Sequence, residues 1–354
     1  MASDITIGVK ITRALKTWAK RLGTVLAIAL ISVGCSELLV RVVVPQKPVW
    51  MDIYVRHPRL PFHALRPNAT YAVDTRETKW SVLIDAHGHR VLAAQDAPSG
   101  DRPLAVWLGD SFTFGHGIDY PLAFVSLVEA RGKYRSLNAG VPSYGPVQYR
   151  MVLEDELAQG IKPARVIVMS YLGNDIDDCV TNKDLPVVDG AVDPVGGIRS
   201  WLQRKSHFYR LARNAYGPFR ARNTHVTPLE ATMSHPDGWS DPKVVEALRI
   251  YREELGRIKT VCDGQSIPLL VGLIPSRALV AQLTGSPFPE SAGADYSSIP
   301  KKVSGLLDGL GIRSIDLTDV LRSHPLAETY FDGDGHFTAL GNKLAAEELA
   351  KAIP

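Results

Sequence analysis

Pro103-Leu-Ala-Val-Trp-Leu-Gly-Asp-Ser-Phe-Thr-Phe-Gly115 is the stretch that decides the fold. It starts as a continuous apolar run, breaks into a small polar turn at Gly109-Asp110-Ser111, and continues into apolar residues at helical spacing from Leu122 to Val128. A strand that is apolar at every position is typical of a parallel sheet covered by helices on both faces. The stretch therefore predicts a buried strand, then a turn, then a helix.

The same pattern returns along the chain. Further strands are predicted at 134–138, 166–171, 267–274 and 312–317, and helices at 147–157, 243–260, 297–309 and 338–352. Apolar strands that alternate with amphipathic helices indicate an α/β fold, in which a mostly parallel sheet is the middle layer of a three-layer α/β/α sandwich. We expect this domain at 101–354, with its reactive groups at the carboxyl ends of the strands.

Two segments do not follow the pattern. Residues 45–100 are rich in Pro, His and Arg, with a strand-like piece at Trp80-Ser-Val-Leu-Ile84 and turn signals at His87-Gly88 and Ser99-Gly100, and we interpret them as a lead-in or cap subdomain. Residues 176–240 have no clear strand and many Pro, Gly and Asp. We interpret them as an insertion that shapes the substrate cleft.

The N-terminal segment indicates a location. A run without charge extends from Leu22 to Ser36, and apolar residues resume up to Val44. The residues before the run include Lys10, Arg13, Lys16, Lys20 and Arg21. This asymmetry favours a cytoplasmic segment at 1–21, a transmembrane anchor at 22–44 and an extracytoplasmic remainder. Glu37 and Arg41 can pair at i,i+4 near the far interface, and Pro45 ends the helix.

Three alternatives to an anchor stay open. The charge-free core has the length of a signal-peptide core, so cleavage after Gly34 would release the protein. Ser-Val-Gly-Cys at 32–35 faintly resembles a lipoprotein box, although Ser32 occupies a position where an aliphatic residue is expected. A buried helix of a soluble protein is the third possibility, and the flanking charges disfavour it.

Charge and cysteine content exclude some classes of protein. A net charge of +3 over 354 residues predicts no nucleic-acid partner. The basic stretch from Arg204 to Arg222 predicts an amphipathic surface helix, with a contact to an anionic partner or lipid surface as the alternative. Cys35, Cys179 and Cys262 lack the spacing of a metal site. A disulfide between Cys179 and Cys262 stays open, beside two unrelated buried thiols.

Four polar segments follow predicted strands or precede the last helix. They are Gly109-Asp110-Ser111, Asn138-Ala139-Gly140, Gly173-Asn174-Asp175 and Asp332-Gly-Asp-Gly-His336. A serine on a sharp turn can act as a nucleophile, a histidine can take its proton, and a glycine N–H or an asparagine amide can bind an oxyanion. Taken singly, each segment also fits a cap, a turn or an ordinary surface group.

In this order and placement the segments resemble the SGNH (GDSL-like) hydrolase superfamily over roughly 100–354, and the flanks look like its bacterial membrane-anchored members. The resemblance implies a flavodoxin-like sandwich and an oxyanion hole of Ser111, Gly140 and Asn174. It also implies that Ser111 is the nucleophile and His336 its base. Many members carry aspartate three residues before the histidine, where this chain has Gly333. Asp334 is therefore the expected orienting acid, with Asp332 as the alternative.

The resemblance implies a serine-dependent acyl ester hydrolase that works through an acyl-enzyme on an acylated small molecule, glycan or lipid. No metal or other cofactor is expected. An O-acetyltransferase associated with envelope or exopolysaccharide assembly is one alternative, and a noncatalytic membrane-anchored scaffold is another. The expected location is the bacterial inner membrane, with a single span and the catalytic domain in the periplasm.

Overall fold

The computed structural model of the protein describes residues 2–46, 52–75, 77–92, 101–181, 185–193, 196–220, 226–288 and 293–353, with the side chains of 2–15, 17 and 216–220 outside the description. The chain forms two compact units. The larger comprises 50–194 and 222–354, and the smaller joins 1–49 to 195–221. The predicted turn at Ser99-Gly100 lies outside the described residues.

All the described strands lie in the larger unit. They are β1 (Tyr54–Arg56), β2 (His63–Leu65), β3 (Thr70–Asp74), β4 (Lys79–Leu83), β5 (Leu104–Gly109), β6 (Arg135–Asn138), β7 (Arg165–Tyr171), β8 (Val187–Val188), β9 (Ala191–Val192), β10 (Leu269–Ile274) and β11 (Arg313–Asp316).

The helices are distributed over both units. They are α1 (Ala2–Val43), α2 (Ser111–Phe114), α3 (Phe124–Glu129), α4 (Pro146–Ala158), α5 (Asp175–Thr181), α6 (Gly197–Lys205), α7 (His207–Arg220), α8 (Pro228–Met233), α9 (Pro242–Gly264), α10 (Arg277–Thr284), α11 (Ser298–Asp308), α12 (Thr318–Leu321), α13 (Leu326–Thr329) and α14 (Ala339–Ala352), with 3₁₀ turns at Tyr120–Leu122 and Pro236–Ser240.

The central sheet has five parallel strands in the order β11-β10-β7-β5-β6. If the five strands of this sheet are renumbered 1 to 5 along the chain, their spatial order from the β6 edge is 2-1-3-4-5, which is the flavodoxin-like order. The order reverses between β5 and β7, so the carboxyl ends of these two strands border the crevice where such sheets bind ligands. This sheet between helical layers confirms the predicted fold class.

Two cores cover the sheet. Along β5, Leu104, Val106 and Leu108 face a core that includes α4, α5 and α9, whereas Ala105 and Trp107 face a second core that includes α3 and α14. Every residue of β5 and β7 is buried, which explains why these strands lack alternation in the sequence. Full burial of a large apolar side chain such as Trp107 contributes about 1.5–3 kcal/mol.

The predicted strands and helices of this domain are confirmed, with bounds that shift by a few residues. The largest shift is in the long helix α9, which extends four residues beyond the predicted end at 260. It begins after Asp241, whose carboxylate accepts the N–H groups of Lys243 and Val244, and has Pro242 at its first position. The apolar spacing from Leu122 to Val128 resolves into the 3₁₀ turn and the short helix α3.

The described part of the lead-in segment contains two hairpins. β1 pairs with β2 and β3 pairs with β4, both antiparallel, and the predicted strand at 80–84 is β4. Trp80, Val82 and Ile84 are buried and join the core that contains α4 and α9. The described part of 50–92 therefore belongs to the same compact unit as the sheet.

The segment at 176–240 contains more regular structure than its sequence indicated. The two-residue strands β8 and β9 form a hairpin across Asp189 and Gly190, which both have positive φ. The prediction that this segment has no clear strand was therefore wrong. Strands of two residues are too short to show the alternating pattern by which strands are recognised in a sequence. The segment also contains α6 and α7, which belong to the smaller unit, and α8, which packs on α5 and α9 in the larger one.

In the smaller unit, α7 packs on α1 and on α6. The stretch Trp18–Val43 of α1 is long and apolar enough to cross a membrane, and only 6% of its most apolar window is buried, unlike a core helix of a soluble protein. α1 ends at Val43, two residues before Pro45, as predicted. Cys35 is exposed on it, whereas Cys179 and Cys262 are buried in the larger unit and are not joined by a disulfide, which confirms the interpretation of two unrelated buried thiols.

Candidate active site

Ser111 lies at the start of α2, one residue beyond Asp110 and two beyond the end of β5. The Asp110 carboxylate caps this helix and accepts the Phe112 N–H at 2.8 Å. Gly115 ends it with φ 83°, a left-handed conformation that glycine adopts without strain. This strand, tight turn and single helical turn place the Ser111 hydroxyl at the carboxyl edge of the sheet.

His336 meets Ser111 from the other end of the chain. Its Nε2 lies 2.7 Å from Ser111 Oγ, and its Nδ1 is hydrogen-bonded to Asp334 Oδ1. With the Nδ1 proton directed at the carboxylate, Nε2 is left as the acceptor for the Ser111 hydroxyl proton. The three side chains thus form one hydrogen-bonded series from carboxylate to hydroxyl.

The loop that carries Asp334 and His336 is held closed. Tyr330 and Phe337 pair as an antiparallel bridge, and the Phe331 N–H donates to the His336 carbonyl at 2.8 Å. Gly335, with φ 84°, allows the tight turn between the two polar residues. The Tyr330 hydroxyl also donates to the carbonyl of Pro275, at 2.7 Å, just beyond β10.

Asp332, the alternative acid, points elsewhere. Its carboxylate accepts a hydrogen bond from Arg277 Nη2 at 2.9 Å, and its side chain is 92% exposed. Asp334, by contrast, is 28% exposed and bonded to the His336 ring. Of the two candidate acids, the structure brings Asp334 to the histidine.

A second histidine contacts the same carboxylate. His116 Nε2 lies 3.3 Å from Asp334 Oδ2. Its ring lies between those of Trp80, which it meets edge-on, and His336, to which it is tilted, with centroids 5.0 and 4.6 Å away. Burial and the neighbouring charge of His336 lower the pKa of His116, so its ring is neutral near neutral pH. A neutral His116 carries its proton on Nε2, and this N–H donates to Asp334. Its buried Nδ1 has no partner among the described residues.

Two histidines therefore stabilise the ionised form of Asp334. Burial alone would raise the pKa of this carboxyl, but hydrogen bonds from His116 and His336 lower it well below its ordinary value. Glu77, from the turn between β3 and β4, adds to this support. Its carboxylate accepts the backbone N–H groups of Gly333 and Asp334, at 2.7 and 2.9 Å, and so fixes the turn from the lead-in side.

Gly140 and Asn174 follow β6 and β7 and lie beside α2. A Cβ on Gly140 would come within 2.6 Å of the Phe114 nitrogen, so only glycine permits this approach. The Gly140 N–H donates to Asn138 Oδ1 at 3.0 Å, an acceptor that a bound oxyanion would share or replace. Asn174 Nδ2 donates to Asp110 Oδ2 at 3.3 Å.

Buried carboxyls lie beneath these groups. Burial raises the pKa of Asp110, and burial together with the nearby Asp110 raises the pKa of Asp175 and that of Asp178, the latter to about 8. Asp175 also accepts the Tyr149 hydroxyl at 2.8 Å. Because raised pKa values keep some of these groups protonated, the cluster carries less negative charge beside Ser111 than three carboxylates would.

Arg90 fastens the loop that follows α2. Its guanidinium is buried and donates to the carbonyls of Phe114, Gly115 and Ile118 and to that of Ser81. Hydrogen bonds from a charged donor contribute about 1.5–3 kcal/mol each, more than neutral ones. The loop, and with it His116, is therefore held rigidly against β4.

His116, Asp334 and His336 are also residue types that bind metal ions, and one ligand atom from each lies within 4.8 Å of the others. However, Asp334 and His336 are hydrogen-bonded to each other, and His336 to Ser111. An ion would have to displace the proton between His336 and Asp334, so we assign no metal to this group.

His116, Glu77 and Arg90 were missed by the sequence analysis. His116 is the only one near a motif, since it directly follows the Gly115 that ends α2. Glu77 and Arg90 come from the lead-in segment, and no local pattern connects them to residues more than 20 positions away. Their contacts depend on how the segment folds against α2 and the 331–336 loop.

Comparison with known proteins gives fold-level likenesses of low similarity. No family model and no curated protein matches the chain. Among solved structures, it is similar to a G-D-S-L family lipolytic protein from Veillonella parvula (12% identity, 70% of this chain and 96% of that chain, TM-score 0.37). It is also similar to a mutant acetyl-xylooligosaccharide esterase from Geobacillus (12%, 72% and 95%, 0.40) and to a carbohydrate acetylesterase family member from Sinorhizobium meliloti (13%, 71% and 97%, 0.37). Likenesses this weak establish no activity.

Proposed function

We propose that the protein is a serine-dependent carboxylic ester hydrolase with Ser111 as nucleophile. The observation that carries this proposal is the continuous series from Ser111 Oγ through both nitrogens of His336 to Asp334. A histidine that accepts a hydroxyl proton and is oriented by a carboxylate is the arrangement that activates serine for acyl transfer.

In the proposed reaction, Ser111 Oγ attacks the acyl carbonyl as its proton passes to His336 Nε2. The tetrahedral intermediate collapses when His336 returns this proton to the leaving alkoxide, which departs as an alcohol and leaves an acyl-serine. Water then gives a proton to His336 and its oxygen to the acyl group, and the proton finally returns to Ser111. Asp334 stays ionised throughout and stabilises the imidazolium, as its lowered pKa favours.

A fluorophosphonate probe tests the nucleophile directly in the full chain. We expect covalent labelling of Ser111, identified by peptide mass analysis, and loss of labelling in His336→Ala, because the hydroxyl is not nucleophilic without a base. Labelling at another serine, or equal labelling of the two proteins, would contradict the assignment. A sugar hydroxyl in place of water would make the protein an O-acetyltransferase, which product analysis with a sugar acceptor distinguishes.

Asn174→Ala is expected to lower kcat by about 100- to 1,000-fold, the usual effect of removing one oxyanion donor, with little change in KM. In the proposal the amide, together with the N–H groups of Ser111 and Gly140, binds an oxygen that becomes negative only in the transition state. Steady-state kinetics with p-nitrophenyl acetate checks this. A raised KM at unchanged kcat would instead assign Asn174 to ground-state binding.

His116→Phe is expected to lower kcat about 10- to 100-fold at unchanged KM, the size of effect that follows a misplaced catalytic group. Phenylalanine retains the ring between Trp80 and His336 but removes the donor to Asp334. His116→Gln keeps an N–H near the same position and is the matched control, expected to retain most activity. Retained activity in His116→Phe together with a loss in His116→Gln would mean that His116 acts only through packing of its ring.

For location, we propose that Trp18–Val43 anchors the protein in the bacterial inner membrane, with the catalytic unit in the periplasm. Support comes from the length and exposure of this segment and from the basic residues that precede it. An acylated glycan or lipid of the cell envelope is the substrate class that such a location would supply.

A further inference from the structure

Helices α6 and α7 carry an unusual charge distribution. Between 196 and 220 the chain has no aspartate or glutamate. The same stretch carries Arg199, Arg204, Lys205, Arg210, Arg213 and Arg220. A segment in which every charge is positive complements an anionic surface.

Large apolar side chains on these helices point away from the unit. Ile198, Trp201 and Phe208 are 76%, 52% and 39% exposed. Ile198, Trp201 and the exposed Lys205 recur at spacings of three and four residues, so they form one stripe on α6. Phe208 lies on α7, beyond the extended residue Ser206 that ends α6. On other faces, Ser200 and Arg210 are buried. Exposing three large apolar residues on two helices that pack together is unfavourable in water unless a partner covers them.

Hydrogen bonds fix the junction of these helices to α1. The Glu37 carboxylate accepts Ser206 Oγ at 2.7 Å and the N–H groups of His207 and Phe208 at 2.9 Å each. Arg41 donates to Glu37 and, at 2.8 Å, to the Lys205 carbonyl. Glu37 directly follows the charge-free run that ends at Ser36. If this run crosses a bilayer, the junction lies at the membrane surface.

We propose that α6 and α7 form an interfacial element that rests on an anionic lipid surface, an inference that depends on the proposed anchoring by α1. Ile198, Trp201 and Phe208 enter the boundary between headgroups and acyl chains, and the basic side chains contact lipid phosphates. Tryptophan favours this depth because its ring is apolar with one polar N–H. The position beside the end of α1 and the uniform positive charge favour lipid over a protein partner.

The test uses the full chain reconstituted into vesicles of phosphatidylcholine, alone or mixed with phosphatidylglycerol. In a Cys35→Ser background the remaining cysteines are buried, so an environment-sensitive fluorophore can be attached to a single new cysteine. Leu30→Cys reports the span and Ile198→Cys reports the stripe. Val245→Cys is the matched control, since Val245 is an exposed apolar residue, 52% exposed, that precedes Glu246 on α9.

We expect the Ile198 probe to be blue-shifted, shielded from iodide, and quenched more by a nitroxide near the headgroup than by one deep in the acyl chains. The Leu30 probe should be quenched more by the nitroxide deep in the acyl chains than by the one near the headgroup. The Val245 probe should show no blue shift and should be accessible to iodide. Lys205→Gln should lower the ratio of lipid-facing to water-facing Ile198 probe about fivefold in the anionic vesicles and leave it unchanged in phosphatidylcholine.

Each contrary outcome is decisive in a different way. A shielded Leu30 with an Ile198 probe as accessible as Val245 would overturn the interfacial element while anchoring stands, and would favour a protein partner. A Leu30 probe in water would overturn anchoring and this inference together. Shielding of Ile198 that responds to neither phosphatidylglycerol nor Lys205→Gln would overturn the anionic headgroup contact.

Discussion

Ser111→Ala is expected to lower kcat for p-nitrophenyl acetate by on the order of a millionfold, the loss seen when a serine hydrolase loses its nucleophile. The alanine variant retains the fold, because the Ser111 side chain contributes one hydrogen bond at the carboxyl edge of the sheet and little buried surface. The remaining rate should come from the oxyanion donors and substrate binding alone, and it should be roughly 1,000- to 10,000-fold above the rate of uncatalysed hydrolysis in water.

The matched control is Ser323→Ala, which removes a serine hydroxyl away from the site and is prepared and assayed in the same way. The Ser323 hydroxyl also makes one hydrogen bond, to the Val320 carbonyl at 2.6 Å, but lies on the exposed surface. It should leave kcat and KM unchanged. Substantial turnover that survives in Ser111→Ala, after the unfolding midpoint confirms an intact fold, would rule out the acyl-enzyme at Ser111.

The sheet could be predicted from the sequence because burial on both faces leaves a local signal. β5, β7 and β10 are nearly continuous apolar runs, and the helices between them show regular apolar spacing. The hairpin of β8 and β9 could not be predicted, since two-residue strands carry no periodicity. Its turn depends on positive φ at Asp189 and Gly190, which a Pro- and Gly-rich segment does not distinguish from an irregular loop.

The site could be predicted only in part, because motifs mark positions and not contacts. Ser111, Gly140, Asn174 and His336 follow or precede regular elements, and the topology of a parallel sheet then gathers them at one edge. His116 lies five residues beyond Ser111, but its contact with Asp334 spans more than 200 positions. Such a contact depends on the closed turn at 331–336, which no local pattern in the sequence encodes.

The choice between the two acids illustrates the same point. Spacing alone left Asp334 and Asp332 open, because each lies within one residue of the position that the resemblance favours. Gly335 decides between them, since its left-handed conformation turns the chain back and directs Asp334 toward the His336 ring. Arg277, just beyond β10, engages Asp332 on the other side.

Asp334→Asn is expected to lower kcat about 10,000-fold with little change in KM, whereas Asp332→Asn should leave both within about twofold. An amide at position 334 cannot stabilise the imidazolium and can force the His336 ring into the wrong tautomer. Asp332 is almost fully exposed, and although its partner Arg277 is buried, an asparagine at 332 keeps a side-chain oxygen and the backbone carbonyl as acceptors for the guanidinium. The two substitutions are chemically identical and two residues apart, so the difference measures the role of the acid.

The pH dependence of the unfolding midpoint is a second measurement that distinguishes Asp334→Asn from Asp332→Asn. The pKa of Asp334 is lowered in the folded state, so its ionised form contributes stability that is present above the unfolded pKa of about 3.9 and is lost as the pH falls. Asp334→Asn should therefore lower the unfolding midpoint equally at pH 7 and pH 5. The difference from the wild type should begin to shrink only below the unfolded pKa of about 3.9 and disappear only below the lowered folded pKa of Asp334. The reverse pattern, with kcat and the pH-dependent midpoint both sensitive to Asp332→Asn, would make Asp332 the acid and would require the 331–336 turn to rearrange in solution.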